Sequence, residues 1–245
     1  MKPLQMLDTF AGIGGFSYAA TKLVKGFQTT QFIELDPFCQ KILRKNFPYV
    51  PIHDDIRTYT AFSGQFDIIC GGFPCQDISG ANGSRVGITQ ESRSGLFYEL
   101  MRIIRMVRPR FVVLENVAAI LNNGLDIVLG ELSQAGYDAE WSVISASSLG
   151  ACHRRSRWWC VAYSNSQRLQ RQMFSKMERE IWTESNTRRL NPNWRQYVSK
   201  PILPRGSDGL SFRVDRTKAL GNSVVPQVAA IPLQRVHDIY FNEKT

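Results

Sequence analysis

Paired cysteines, long apolar runs and repeats are all missing from this sequence. No segment approaches the roughly 18 apolar residues that a membrane-spanning helix needs, and the first ten residues, MKPLQMLDTF, hold an acid at Asp8 and no apolar core of a leader. The five cysteines (Cys39, Cys70, Cys75, Cys152 and Cys160) are odd in number and none stands in a Cys-x-x-Cys pair. That argues against a zinc ribbon or a disulfide framework, and predicts free thiols in the cytoplasm and no bound metal. No internal repeat or low-complexity tract occurs, and 43% hydrophobic residues suit a folded core rather than a disordered tail.

Acidic residues are scarce in one region only. From Arg154 to Lys218 there are 12 Arg and 3 Lys against 5 acids, whereas the rest of the chain carries 15 basic and 16 acidic residues. Such an excess is either a solvated basic surface or a face for a polyanion, of which nucleic acid is the commonest.

Apolar runs at LQMLDTF, TTQFIEL, FDIICGG, RFVVLENV, AEWSVISAS and RWWCVAYS read as strands. Between them, Phe16 to Val24, PFCQKILRKNF, SGLFYELMRIIRMV and LDIVLGELSQAG have helical spacing. Strands alternating with helices predict a mostly parallel sheet covered on both faces. After Tyr163 the chain becomes polar, Arg-rich and dotted with aromatics; MFSKMEREIW is a candidate short helix. VVPQVAAIPLQRVHDIYF regains helical spacing, with Pro226 near its start and Pro232 as a candidate kink.

Three stretches carry chemistry. DTFAGIGGFS follows the first strand and opens a helix, so Gly12, Gly14 and Gly15 allow a ligand close to the backbone. Glu34, about 20 residues on at the end of the second strand, is placed to grip a ribose, and Asp55 after the next apolar stretch to meet an adenine amino group. These residues fit a nicotinamide cofactor or S-adenosylmethionine equally. In GGFPCQDISG, Cys75 follows Pro74 at the C-terminal end of a buried strand, where open parallel sheets place their chemistry. It is a nucleophile there or a small core residue. The glycine- and serine-rich run to Gly95 reads as a loop able to close over a substrate. Glu115 in LENV is either a neighbouring carboxylate or a cap for the next helix. A thiol beside a carboxylate suits attack on an electron-poor ring whose nitrogen is protonated as sulfur adds.

In order, DTFAGIGGFS, the Glu34 strand end, GGFPCQDIS, ENV, the Arg-x-Arg of HRRSRWW and GNSVVPQVA resemble the blocks of the cytosine-5 DNA methyltransferases. The match runs from Leu4 to Tyr163 and from about Arg213 to Tyr240. The resemblance implies an α/β fold with a Rossmann-like, mostly parallel S-adenosylmethionine-dependent methyltransferase sheet. It divides the chain into a catalytic and cofactor-binding domain (1–163), a small basic target-recognition region (164–212) and a C-terminal segment whose helix returns to the catalytic domain (213–245). Implied catalytic residues are Cys75, Glu115, Arg155 and Arg157. Implied cofactor contacts are Phe10, Gly12, Gly14, Gly15, Glu34, Asp55, Pro74, Asn222 and Val224, and implied nucleic-acid contacts are Gln76, Ser79, Arg93 and His153. S-adenosylmethionine is the expected cofactor and double-stranded DNA the expected partner, for a monomer that in such systems can accompany a restriction endonuclease. Trp182, Trp194 and Tyr197 either form a small core or stack on bases.

Two features depart from the family. His153 stands where the block usually has glutamine, which alters a contact or makes it pH-sensitive if the ring is exposed. Only 63 residues, Trp158 to Leu220, separate that block from GNSVVPQ, far fewer than the family's recognition domain usually takes, so a short or relaxed target is expected. The rival readings are a transfer RNA methyltransferase of the same family, a catalytically idle DNA-binding relative, and a nicotinamide-dependent oxidoreductase that would leave Pro74-Cys75 unexplained.

Overall fold

The computed structural model describes residues 2–74, 95–164, 219 and 221–242. Seven strands form one sheet in the order β3-β2-β1-β4-β5-β7-β6. They are β1 (Leu4–Thr9), β2 (Phe27–Ile33), β3 (Ile52–His53), β4 (Ile68–Gly72), β5 (Phe111–Val117), β6 (Tyr137–Ile144) and β7 (Arg157–Ser164). The first five run parallel, and β7 inserts antiparallel to both β5 and β6. The expected mostly parallel sheet is therefore present. The two-residue β3 went unread in the sequence, because Ile52–His53 is too short for any periodicity to show.

Helices α1 (Gly15–Tyr18), α2 (Pro37–Asn46), α3 (Leu96–Val107), α4 (Leu125–Gln134) and α5 (Pro226–Asn242) cover the sheet. A π-helical stretch, Ala19–Val24, prolongs α1. Asp36 caps α2 by accepting from the backbone amides of Phe38 (2.9 Å) and Cys39 (3.4 Å), with Pro37 in the first position where no amide is needed. α3 is amphipathic: Phe97, Leu100, Met101, Ile104 and Val107 recur at helical spacing and are all buried. α5 starts at Pro226 as expected and runs unbroken through Pro232.

The core has two main halves. On one face α3, α4 and the 56–66 crossover bury Leu7, Ile69, Leu114 and Trp158; on the other α1 and α5 bury Met6, Cys70, Val113 and Trp159. Burial of apolar area on both sides, at about 25 cal/mol per Å² removed from water, holds the sheet between its two helical layers and leaves its C-terminal edge uncovered. Among the described residues no helix is long and apolar enough to cross a membrane.

Candidate active site

Parallel strands deliver their C-terminal ends to one edge, and an antiparallel neighbour delivers its start to the same edge. So Thr9, Ile33, His53, Gly72 and Val117 converge with Arg157, the first residue of β7. The sequence separation between these groups, up to 148 positions, is spanned by topology alone.

At the β1 corner the chain turns through Phe10, Gly12 and Gly14, with φ of 51°, 56° and 89°. Gly12 and Gly14 occupy the left-handed region at little cost, whereas Phe10 is strained there. The turn is fastened from outside: the amide of Gly12 donates to Glu34 Oε2 (2.6 Å), while Glu34 Oε1 accepts from the Asp36 amide (2.8 Å). Burial pushes the Glu34 carboxyl upward, and those two amides oppose the shift. From below, fully buried Asp8 accepts from Ser17 through both amide (3.2 Å) and hydroxyl (2.6 Å), pinning the start of α1. Desolvation raises its pKa to about 7, and its Oδ1 has no partner among the described residues.

Gly15 is needed for proximity. A Cβ there would stand 2.5 Å from Val224 Cγ2 and 2.8 Å from its carbonyl oxygen. The segment before α5 therefore lies directly on the glycine turn. Arg155 holds it there, donating from Nη2 to the carbonyls of Gly221 (2.7 Å) and Ser223 (2.6 Å). A shallow hollow of about 220 Å³ lies alongside, lined by His153, Arg155, Ser223, Val224, Val225, Pro226 and Gln227. His153 is exposed at its rim.

Across the sheet, Glu115 Oε1 meets Arg157 Nε at 3.0 Å, both side chains being largely buried. Glu115 does not cap the following turn. Its pKa is raised to about 7, because desolvation outweighs the pull of Arg157 and then Arg155. A Cβ on Gly72 would come within 3.0 Å of Glu115 Oε2, so glycine at the end of β4 leaves room for that carboxyl. The buried Asn116 donates from Nδ2 to the Phe73 carbonyl (3.2 Å), fixing the backbone just before Pro74.

Of the residues singled out in the sequence, Phe10, Gly12, Gly14, Gly15, Glu34 and Val224 gather around the β1 corner, with Asn222 next to the carbonyls that Arg155 holds. Glu115 and Arg157 pair at the ends of β5 and β7. Asp55, beyond β3, has its carboxylate engaged by Arg57, whose Nη2 lies 2.6 Å from Oδ2, and that pairing lowers its pKa to about 2. Cys75, Gln76, Ser79 and Arg93, together with Trp182, Trp194, Tyr197 and the candidate helix MFSKMEREIW, lie outside the described residues. Sequence reasoning missed Asp8, Asn116 and Ser17. A polar residue directly after Glu115 inside an apolar strand was the available signal for Asn116.

Residues 4–207 match the family described as C-5 cytosine-specific DNA methylase. Among curated relatives, the Type II methyltransferase M.CviJI of Paramecium bursaria Chlorella virus IL3A is 36% identical over 64% of this chain and 42% of its own length. M.HhaI of Haemophilus parahaemolyticus is 30% identical over 71% of this chain and 53% of its own length. The chain thus spans about half the length of such relatives, or less. Among solved structures, a putative DNA modification methyltransferase encoded within an E. coli prophage superposes with a TM-score of 0.54 at 26% identity, over 68% of this chain and 48% of that one. S. pombe Dnmt2 methyltransferase shares the fold, with a TM-score of 0.54 at 22% identity over 66% of this chain and 51% of that one. With five-sixths of its length matched and the seven-strand order of a Rossmann-like methyltransferase sheet in place, the chain belongs to the C-5 cytosine-specific DNA methylase family.

Proposed function

We propose that this chain transfers a methyl group from S-adenosylmethionine to carbon 5 of a cytosine flipped out of duplex DNA, with Cys75 as the nucleophile. The observation that carries the reading is the Glu115–Arg157 pair, a carboxyl with its pKa raised to about 7 beside a half-buried guanidinium, at the sheet edge from which β4 leads on to Cys75.

The cofactor pocket fits that assignment. The Phe10–Gly15 turn offers close backbone, Glu34 presents a carboxylate at the end of β2 suited to ribose hydroxyls, and the Val224 backbone closes the side opposite. Beneath the turn, the buried Asp8 Oδ1 has no hydrogen-bond partner among the described residues. When bound, S-adenosylmethionine supplies the electrophilic methyl group that carbon 5 takes up.

Carbon 5 is too poor a nucleophile to react unaided. The Cys75 thiolate adds to carbon 6, forming a C–S bond, while protonated Glu115 gives its proton to nitrogen 3, so the ring electrons move to carbon 5. Arg157 is placed to hold the ring carbonyl oxygen as charge develops, and its contact with Glu115 aligns the acid. After methylation, which releases S-adenosylhomocysteine, a base removes the carbon 5 proton, that electron pair expels the thiolate, and nitrogen 3 returns its proton to Glu115. Arg155, matched to the same motif, acts here as a positioning residue through the Gly221 and Ser223 carbonyls. Addition to carbon 6 needs access to the ring face, so the base must leave the stack. The basic 164–212 region serves as a short recognition module.

Bisulfite sequencing of DNA from a host lacking cytosine-5 methylation, expressing this chain or Cys75→Ser, tests the proposal. Protected cytosines in one short context, lost in the variant, are expected. Protection in neither, with methyl transfer to transfer RNA in a labelled-cofactor assay, would transfer the reading to the RNA-directed branch.

A further inference from the structure

We infer that Arg102, on α3, positions the loop carrying Asp55 and so sets cofactor affinity; the inference rests on the methyltransferase reading above.

The segment after β3 leaves the sheet edge at His53 and must return across α3 to reach β4. Over residues 54–64 it has no ladder to hold it. Arg102 supplies the fastening. Its Nη1 donates to the Tyr59 carbonyl (3.0 Å), and its Nη2 donates to the carbonyls of Ile56 (2.8 Å) and Arg57 (3.4 Å). Its Nε donates to Glu99 Oε2 one turn earlier on the same helix (2.7 Å), which aims the guanidinium. Further along the same face, Met106 Sδ accepts from the Ala61 amide (3.1 Å) and the Val107 carbonyl accepts from the Gly64 amide (2.8 Å). The crossover is strapped to α3 at successive points, and Arg102 makes three of the contacts.

Those contacts reach Asp55 in one step. Arg57, whose carbonyl Arg102 takes, grips Asp55 through its own amide (3.0 Å to Oδ1), Nε (3.0 Å to each carboxylate oxygen) and Nη2 (2.6 Å to Oδ2). Arg57 is solvent-exposed and Asp55 only half-buried, so the two would hold no fixed place on the strength of their ion pair alone, since a pair open to solvent is weak. The rigid element behind them is α3. A planar fork suits three carbonyls spread around a turn; an ammonium is a point charge and cannot span them. Arg102 is therefore a positioning residue for the adenine end of the pocket, and its loss should loosen binding without touching proton transfer at Glu115.

The test is calorimetric titration of the purified full chain with S-adenosylhomocysteine, paired with steady-state methylation of duplex DNA. R102M should bind about tenfold more weakly or worse, with kcat at saturating cofactor within about twofold of the parent and KM for DNA unchanged. R102K should fall between the two, and E99Q should weaken binding by a smaller factor. If R102M does not fold, R102K and E99Q decide by the same readout. Variants that bind as tightly as the parent, or that lose kcat while keeping affinity, overturn the inference. A parent chain that does not bind S-adenosylhomocysteine overturns the methyltransferase reading itself, which is a separate outcome from a parent that binds and variants that match it.

Discussion

Two carboxylates stand at the same edge of one sheet and are held in opposite ways. Glu34, at the end of β2, is met by two backbone amides, Gly12 and Asp36. Glu115, near the end of β5, is met by the Arg157 guanidinium. In both cases burial raises the pKa. Amides are neutral donors that stay where the fold puts them, so Glu34 remains an acceptor with lone pairs to spare for hydroxyls. A guanidinium carries charge and can also turn to a ligand oxygen, so the Glu115 site couples an acid to a cation. On the proposed reading, one half of the edge binds the cofactor and the other transfers protons.

The largest break in that comparison comes from Glu115→Gln. It keeps the shape and one acceptor but removes the proton, so kcat should fall by about 10²–10⁴-fold, while S-adenosylhomocysteine affinity stays level. An equal loss of affinity would show that the two halves are not separable. Next in size is a pH effect on stability. The folded pKa of Glu115, about 7, lies above its ordinary value of 4.5, so the folded state holds the proton more tightly than the unfolded one. Stability is then full below about pH 4.5 and declines as pH rises through 7, by up to about 3 kcal/mol. Urea unfolding at pH 5 and pH 8 should show that decline in the parent and a smaller one in Glu115→Gln, the remainder belonging to Asp8, whose pKa is raised in the same sense. An unchanged slope would place the Glu115 carboxyl in water. The smallest effect is expected of Glu34→Gln, where one amide loses its acceptor. Cofactor affinity should fall about tenfold and kcat at saturation should hold.

Much of this edge was legible before the structure. Strand ends were marked by Glu34, Gly72 and Glu115 because apolar runs stop abruptly where polar residues begin, and the glycine turn announced itself through spacing. What stayed hidden shares a physical cause. Arg155 and Arg102 donate to backbone carbonyls, which every residue possesses, so nothing in the partner sequence marks the contact. Arg155 was read as part of the chemistry, and in the fold its guanidinium also anchors the chain before α5. Asp8 was read only as an acid near the start of the chain; its burial and its grip on Ser17 follow from the helix folding back over β1, which no local pattern states. The antiparallel direction of β7 was equally invisible, since strand propensity carries no sign of direction.

The Arg155 anchor also bears on how such a chain can change over generations. β7 fixes the point where the main domain hands the chain over, at Ser164, and Arg155 fixes where it is received, at Gly221 and Ser223. Between two fixed points the entropic cost of closing a loop grows only with the logarithm of its length. A change in the number of residues between them would then cost the sheet little, and the residues on either side would keep their places along its edge.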